Sequence, residues 1–176
     1  DYNLLRLNSI NAELKYTNYY DLNLIEWKGN KFKINKLEEL LELETGNFLF
    51  NIEIKTNFIE KNEISKLRLK NILNRSNFKF FLSSFDHEWS EWINNNLYHI
   101  EFGYLIENEI PKYGNLWIVN QNILNKLDVL DIIENNIKIG VYGENFLNKN
   151  DYDIITYQIV DDLENKKVYI DGIFDI

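Results

Sequence analysis

Short runs rich in β-branched and aromatic residues recur along this chain, and stretches with apolar residues every three or four positions lie between them. The runs cover residues 4–8, 19–25, 48–55, 78–85, 98–106, 116–120, 137–142 and 153–158. Residues 35–44 (NKLEELLELE) and 60–75 (EKNEISKLRLKNILNR) carry the spacing of an amphipathic helix. Residues 86–96 and 122–136 read as helices too, the latter as one helix or two short ones. Strands alternating with helices indicate βα units and parallel pairing. Eight such runs predict an α/β fold of the compact (β/α)8 TIM-barrel type with shortened loops. The alternative is an open parallel α/β sheet, because these barrels usually take about 250 residues and seldom fewer than about 200, and this chain has 176.

No linker, repeat or low-complexity tract divides the sequence, so residues 1–176 read as a single domain. The net charge of −9, with Lys and Arg scattered, argues against a nucleic-acid partner, which would need basic side chains gathered on one face. No apolar run approaches the roughly 20 residues of a membrane-spanning helix. Without cysteine, no disulfide, thiolate zinc site or cysteine nucleophile is available. The seven glycines form no phosphate-binding loop and no G-x-S-x-G elbow occurs, so Ser83 and Ser84 read as strand-end residues. Asparagine is abundant against one alanine (Ala12) and one proline (Pro111). Such a bias toward AT-rich codons fills surfaces and turns and is not read as chemistry. Trp27, Trp89, Trp92 and Trp117 read as packing residues, with Trp89 and Trp92 on one helix face.

Residues 50–57 read FNIEIKTN. In an extended chain Phe50, Ile52 and Ile54 face one way, and Asn51, Glu53 and Lys55 the other. In a barrel the second set would climb the inner face toward the carboxyl-terminal mouth, where active sites form. In another sheet it would be a charge pair on a half-solvated strand.

The stretch NIEIK (51–55), followed by a helix and FLSSFD (81–86), resembles the glycerophosphodiester phosphodiesterase family, whose strands carry an IEiK pattern and then SSFD or SFD. The likeness extends to LLRLNS (4–9), YYDLNL (19–24), EFGYLI (101–106), IKIGVYGEN (137–145) and YDIITYQI (152–159), and so over nearly the whole chain. It implies a TIM barrel, hydrolysis of a phosphodiester small molecule, a Ca²⁺ or Mg²⁺ ion on carboxylates and two histidines as general acid and base. Hard oxygen ligands suit those cations, and an imidazole near neutral pKa moves protons both ways. By this resemblance Glu53 is a metal ligand and Lys55 the phosphate contact. Arg6 matches the arginine beside the first family histidine, and Asp21 and Asn23 stand at the two acidic positions of the second strand.

The departures bear on mechanism. Leu5 stands where the first histidine belongs, and residues 26–34 (EWKGNKFKI) form a tight lysine-rich turn without the HD motif of the second. Asp21 is a methylene shorter than glutamate and Asn23 lacks the charge. The chain's two histidines lie elsewhere. His87 follows SSFD at a helix start near the mouth, as a possible substitute catalyst, and His99 lies early in the fifth run. The resulting expectation is a degenerate, non-catalytic member in which Arg6, Asp21, Asn23, Glu53 and Lys55 are vestiges. It would act as a binding or structural module, with protein partners in an assembly. The alternatives are a metal-dependent phosphodiester hydrolase with an altered acid–base set, using Asp21, Glu53 and His87, and an unrelated α/β binding domain.

Overall fold

The computed structural model describes residues 11–24, 26–27, 30–31, 35–42, 49–58, 62–76, 78–143 and 155–160. Contacts gather into two compact units interleaved in sequence: Asp1–Phe50 with Lys55–Lys79, and Asn51–Ile54 with Phe80–Ile176. The chain passes between units inside its third run, so no linker marks the division.

In the first unit a 3-10 turn (Leu14–Tyr16) leads to helix α1 (Tyr19–Leu22), and a hairpin follows, of β1 (Glu26–Trp27) and β2 (Asn30–Lys31), in which Glu26 opposes Lys31. Of residues 26–34, expected as a tight turn, 28, 29 and 32–34 lie outside the described residues, and the others make up this hairpin. The second run, expected as a strand, is instead the one-turn α1. Asn18 accepts a hydrogen bond from the Asp21 amide at 2.9 Å, and the Asn23 amide reaches back to the Tyr19 and Tyr20 carbonyls. A local asparagine cap outcompetes the β-propensity of the tyrosines, which have no strand partner among the described residues. The first run, 4–8, lies outside the described residues.

Helix α2 (Leu37–Leu41) and helix α3 (Glu63–Leu73) complete this unit, joined by an ion pair between Arg68 Nη2 and Glu38 Oε1 at 2.9 Å. The backbone hydrogen bond at Glu38, and then that guanidinium, hold its carboxyl below the ordinary value. Asn62 caps α3 by accepting from the Ser65 amide. The apolar stripe of α3 is only partly inward, since Leu73 is buried while Ile64 and Leu67 are exposed. Lys66 is buried instead. Its stem is covered, and its ammonium sits 3.7 Å from the Phe58 ring centroid and 3.0 Å from Glu63 Oε1, which satisfies the charge without full solvation.

The second unit is built on a parallel sheet of β3 (Leu49–Glu53), β4 (Lys79–Ser84), β5 (Phe102–Ile106), β6 (Leu116–Asn120), β7 (Lys138–Gly143) and β8 (Ile155–Val160), in that spatial order. Helix α4 (Trp89–Asn96) follows β4. A 3-10 helix (Gln121–Lys126) and helix α5 (Val129–Glu134) follow β6, separated where Asp128 caps α5 by accepting from the Leu130 and Asp131 amides. The sequential order of six parallel strands is what βα units produce. Among the described residues the order is linear, with β3 and β8 at its edges, so the sheet is open and the closed (β/α)8 barrel is not formed. The fifth strand also starts later than expected. Leu97 and Ile100 close turns onto Ile93 and Leu97 after α4, and pairing begins at Phe102.

The sheet curls within this unit. Neighbouring strands lie about 4.8 Å apart, so β4 and β8 would be some 19 Å apart if it were flat. Yet the rings of Phe81 on β4 and Tyr157 on β8 stack with centroids 5.7 Å apart. The registers put Ser83, Gly103, Leu105, Leu116, Ile118, Gly140 and Tyr142 on this concave face. Leu82, Ser84, Tyr104, Trp117, Val119, Ile139 and Val141 lie on the convex face. Leu116, Ile118, Val119 and Ile139 are essentially inaccessible, each burial contributing about 1.5–3 kcal/mol. Trp89 and Trp117 are buried as expected of packing residues.

A Cβ at Gly103 would fall 2.5 Å from Ile118 Cδ1. Gly103→Ala should therefore destabilise the protein by about 1–3 kcal/mol in urea denaturation. Ile118→Val removes that very Cδ1 and alone costs about 0.5–1.5 kcal/mol. The double variant should lose less than the sum of the singles, and strict additivity would show that the two side chains do not compete for the space.

Candidate functional site

In parallel sheets ligands bind beyond the carboxyl ends of the strands. At those ends of the second unit, the two serines of SSFD stitch β3 to β4 from opposite faces. Ser83, fully buried, donates its hydroxyl to Asn51 Oδ1 at 2.7 Å on the concave face. Ser84 faces the convex side, donates to the Ile54 carbonyl at 2.8 Å and accepts from the Asp86 amide at 3.1 Å. The Ile54 amide donates to the Ser83 carbonyl at 2.7 Å. Both hydroxyls are thus structural, as strand-end residues should be.

With Asn51 oriented this way, alternation puts half-buried Glu53 on the concave face, one step nearer the mouth. There it shares a cluster with Phe85, Glu107, Asn120 and Tyr142. The Phe85 ring meets Tyr142 edge-on with centroids 6.1 Å apart, and the Tyr142 hydroxyl donates to the Ile106 carbonyl at 3.3 Å. Burial raises the Tyr142 phenol above its ordinary value. A hydrogen bond from Asn120 opposes this, and Glu107 and Glu53 add to the rise. Asn120 is itself anchored, since its Oδ1 accepts from the Asn122 amide at 2.9 Å. Two carboxylates and a protonated phenol, beside an exposed phenylalanine, form a polar mouth with one apolar wall.

Of the residues singled out from sequence, Glu53 alone belongs to this cluster. Asp21 and Asn23 lie in the first unit, on and just past a one-turn helix, where a separation of two does not put side chains on one face. The Asn18 side-chain amide donates to the Asp21 carboxylate, and Asn23 Nδ2 donates to the Tyr19 carbonyl at 2.9 Å. Lys55 is exposed and also belongs to the first unit. Arg6 lies outside the described residues.

His87 follows β4 but turns to the convex side. Its ring packs edge-on against Tyr104 with centroids 5.1 Å apart, and Nε2–H donates to the Leu105 carbonyl at 2.9 Å. His99, expected early in the fifth strand, is exposed in the turn before it and packs against neighbouring Tyr98.

A Ca²⁺ or Mg²⁺ ion needs several hard oxygens converging. Among the described residues no three His, Asp or Glu gather to hold one, and α1 does not turn Asp21 and Asn23 to one face. Glu107, Asn120 and Tyr142 escaped the sequence reading, although each stands at or just past a strand's carboxyl end. No helix among the described residues is long and apolar enough to cross a membrane. No family model and no curated protein matches the sequence.

The Tyr142 phenol carries a pH prediction. Below the ordinary phenol value of 10 the folded and unfolded chains both hold the proton, and this contribution to stability is complete. As pH rises past it the unfolded chain ionises first, so stability falls until the folded phenol also ionises. Tyr142→Phe should flatten that part of the alkaline limb in a stability–pH series. Glu107→Gln should bring the Tyr142 phenolate transition, isolated as the difference in ultraviolet absorbance from Tyr142→Phe, to lower pH.

Proposed function

We propose that this chain is a glycerophosphodiester phosphodiesterase-like α/β domain that does not hydrolyse. It acts as a binding or structural module in an assembly with other proteins. The observation that carries this reading is where the imidazoles lie. The family mechanism needs two beside the metal-binding glutamate. Here His87 is tied to the Leu105 carbonyl on the convex side, and His99 sits in a turn before β5, while Glu53 faces the concave mouth. The likeness of NIEIK and SSFD has a structural use independent of chemistry, because Asn51 and both serines stitch β3 to β4. A sequence that keeps those residues keeps its sheet edge whether or not it keeps a reaction.

The test is turnover of glycerophosphodiesters and bis(p-nitrophenyl) phosphate with Mg²⁺, Ca²⁺ or Mn²⁺. No rate above the metal-only background is expected. Turnover abolished by Glu53→Ala would establish the hydrolase with an altered acid–base set instead. Thermal unfolding should be unmoved by Ca²⁺, whereas a surviving site at 100 times its Kd would add about 2.7 kcal/mol. Partners retained through purification from the native source would support the assembly. A chain that always elutes alone would count against it.

A further inference from the structure

The connection from β5 to β6 spans residues 107–115 and holds no helix. Parallel neighbours are usually joined through a covering helix of a dozen residues or more. Here the convex face beside α4 lacks that cover, and a groove of about 760 Å³ occupies the slot. Its floor is Phe102 and Tyr104 of β5, and one wall is the flank of α4 that carries Glu91. The other wall is Tyr113, held by the loop. The Tyr113 carbonyl accepts from Trp117 Nε1 at 3.1 Å, and Gly114, at φ +108°, brings the chain so close to Tyr104 that a Cβ would fall 2.3 Å from its ring.

The rings of Tyr104 and Tyr113 meet at 79° with centroids 5.7 Å apart, forming an aromatic corner. Tyr113 and Tyr98 are 62% and 88% exposed, so their faces are open to a ligand. Among the described residues no lysine or arginine lines the groove. Of its two carboxylates, Glu101 is paired with Lys138 Nζ at 2.9 Å, which leaves Glu91, exposed on α4, as the carboxylate that faces the groove without that neutralisation. Aromatic faces at a corner with a carboxylate nearby are complementary to a weakly hydrated cation and repel anions.

We propose that this groove binds an organic ammonium ion, with the exposed ring of Tyr113 as its aromatic wall, buried Tyr104 beneath as the floor that holds that ring, and Glu91 as its counter-charge. The inference concerns the convex face and is independent of the reading of the concave mouth.

The test compares choline with 3,3-dimethylbutan-1-ol, its uncharged carbon isostere, following the Trp117 indole N–H resonance, which reports on Tyr113 through their hydrogen bond. Choline should shift it saturably and the isostere should not. Tyr113→Ala should weaken choline roughly 3- to 30-fold while Tyr113→Phe keeps the affinity, since the ring face and not the hydroxyl is used. Glu91→Gln should weaken it and reduce its dependence on salt. Tyr113 and Glu91 are exposed, and unchanged thermal midpoints will verify that the variants fold. Equal binding of the isostere would make the groove an apolar docking slot and overturn the proposal. So would the absence of a choline shift, or a shift unaffected by Tyr113→Ala and Glu91→Gln.

Discussion

Ile118 sits on the concave face of the sheet, with Gly140 opposite it on β7, and with Leu105 opposite and Gly103 diagonal to it on β5. Its side chain lies against both glycines: a Cβ at either would lie 2.5 Å or 3.3 Å from it. Neither glycine contributes a side chain there, and the sheet bends across this face with Ile118 filling the room they leave. The bend lets Phe81 on β4 stack on Tyr157 of β8. It also carries Phe85 of the β4 end to Tyr142 of β7. The polar mouth is a consequence, since Glu53 stands on β3 while its neighbours Asn120 and Tyr142 stand on paired strands β6 and β7 farther along the sheet.

The two faces then serve different ends. The concave face closes on its own side chains, with a Lys138–Glu101 pair at its amino-terminal end and carboxylates and a phenol at its carboxyl end. The convex face relies on helices for cover, and its cover is uneven. The described residues supply α4 after β4 and the 3-10 helix with α5 after β6, but only a loop after β5. The aromatic groove therefore comes from a short connection that leaves Tyr104 without a helix above it.

Much of the second unit was legible in the chain. The runs at 78–85, 116–120, 137–142 and 153–158 became strands within a residue or two, and residues 122–136 divided at Asp128, where a capping aspartate stands in plain view. Ser83 and Ser84 were readable as strand-end residues because nothing around them makes a nucleophile. The run at 19–25 was misleading, because tyrosines favour strands only when a neighbouring strand rewards them, and Asn18 offered the backbone a nearer partner. Of the candidate site, Glu53 could be found from its motif. Tyr142 and Glu107 could not, since nothing local marks a phenol that acquires its raised pKa from burial and from carboxylates on other strand ends.

By itself the sequence determined the alternation of strands and helices and the parallel order that follows from it, because side-chain periodicity is a property of consecutive residues. It also determined that Asn51 and Glu53 share a face, since β3 runs through both. Only the tertiary structure decided that the sheet curls without closing, that Glu53 lies near Tyr142 while His87 turns away, and that a loop rather than a helix follows β5. Each of these depends on side chains far apart in the chain, Phe81 with Tyr157 and Tyr104 with Tyr113 among them, whose meeting is set by how strands bend and not by their spacing in sequence.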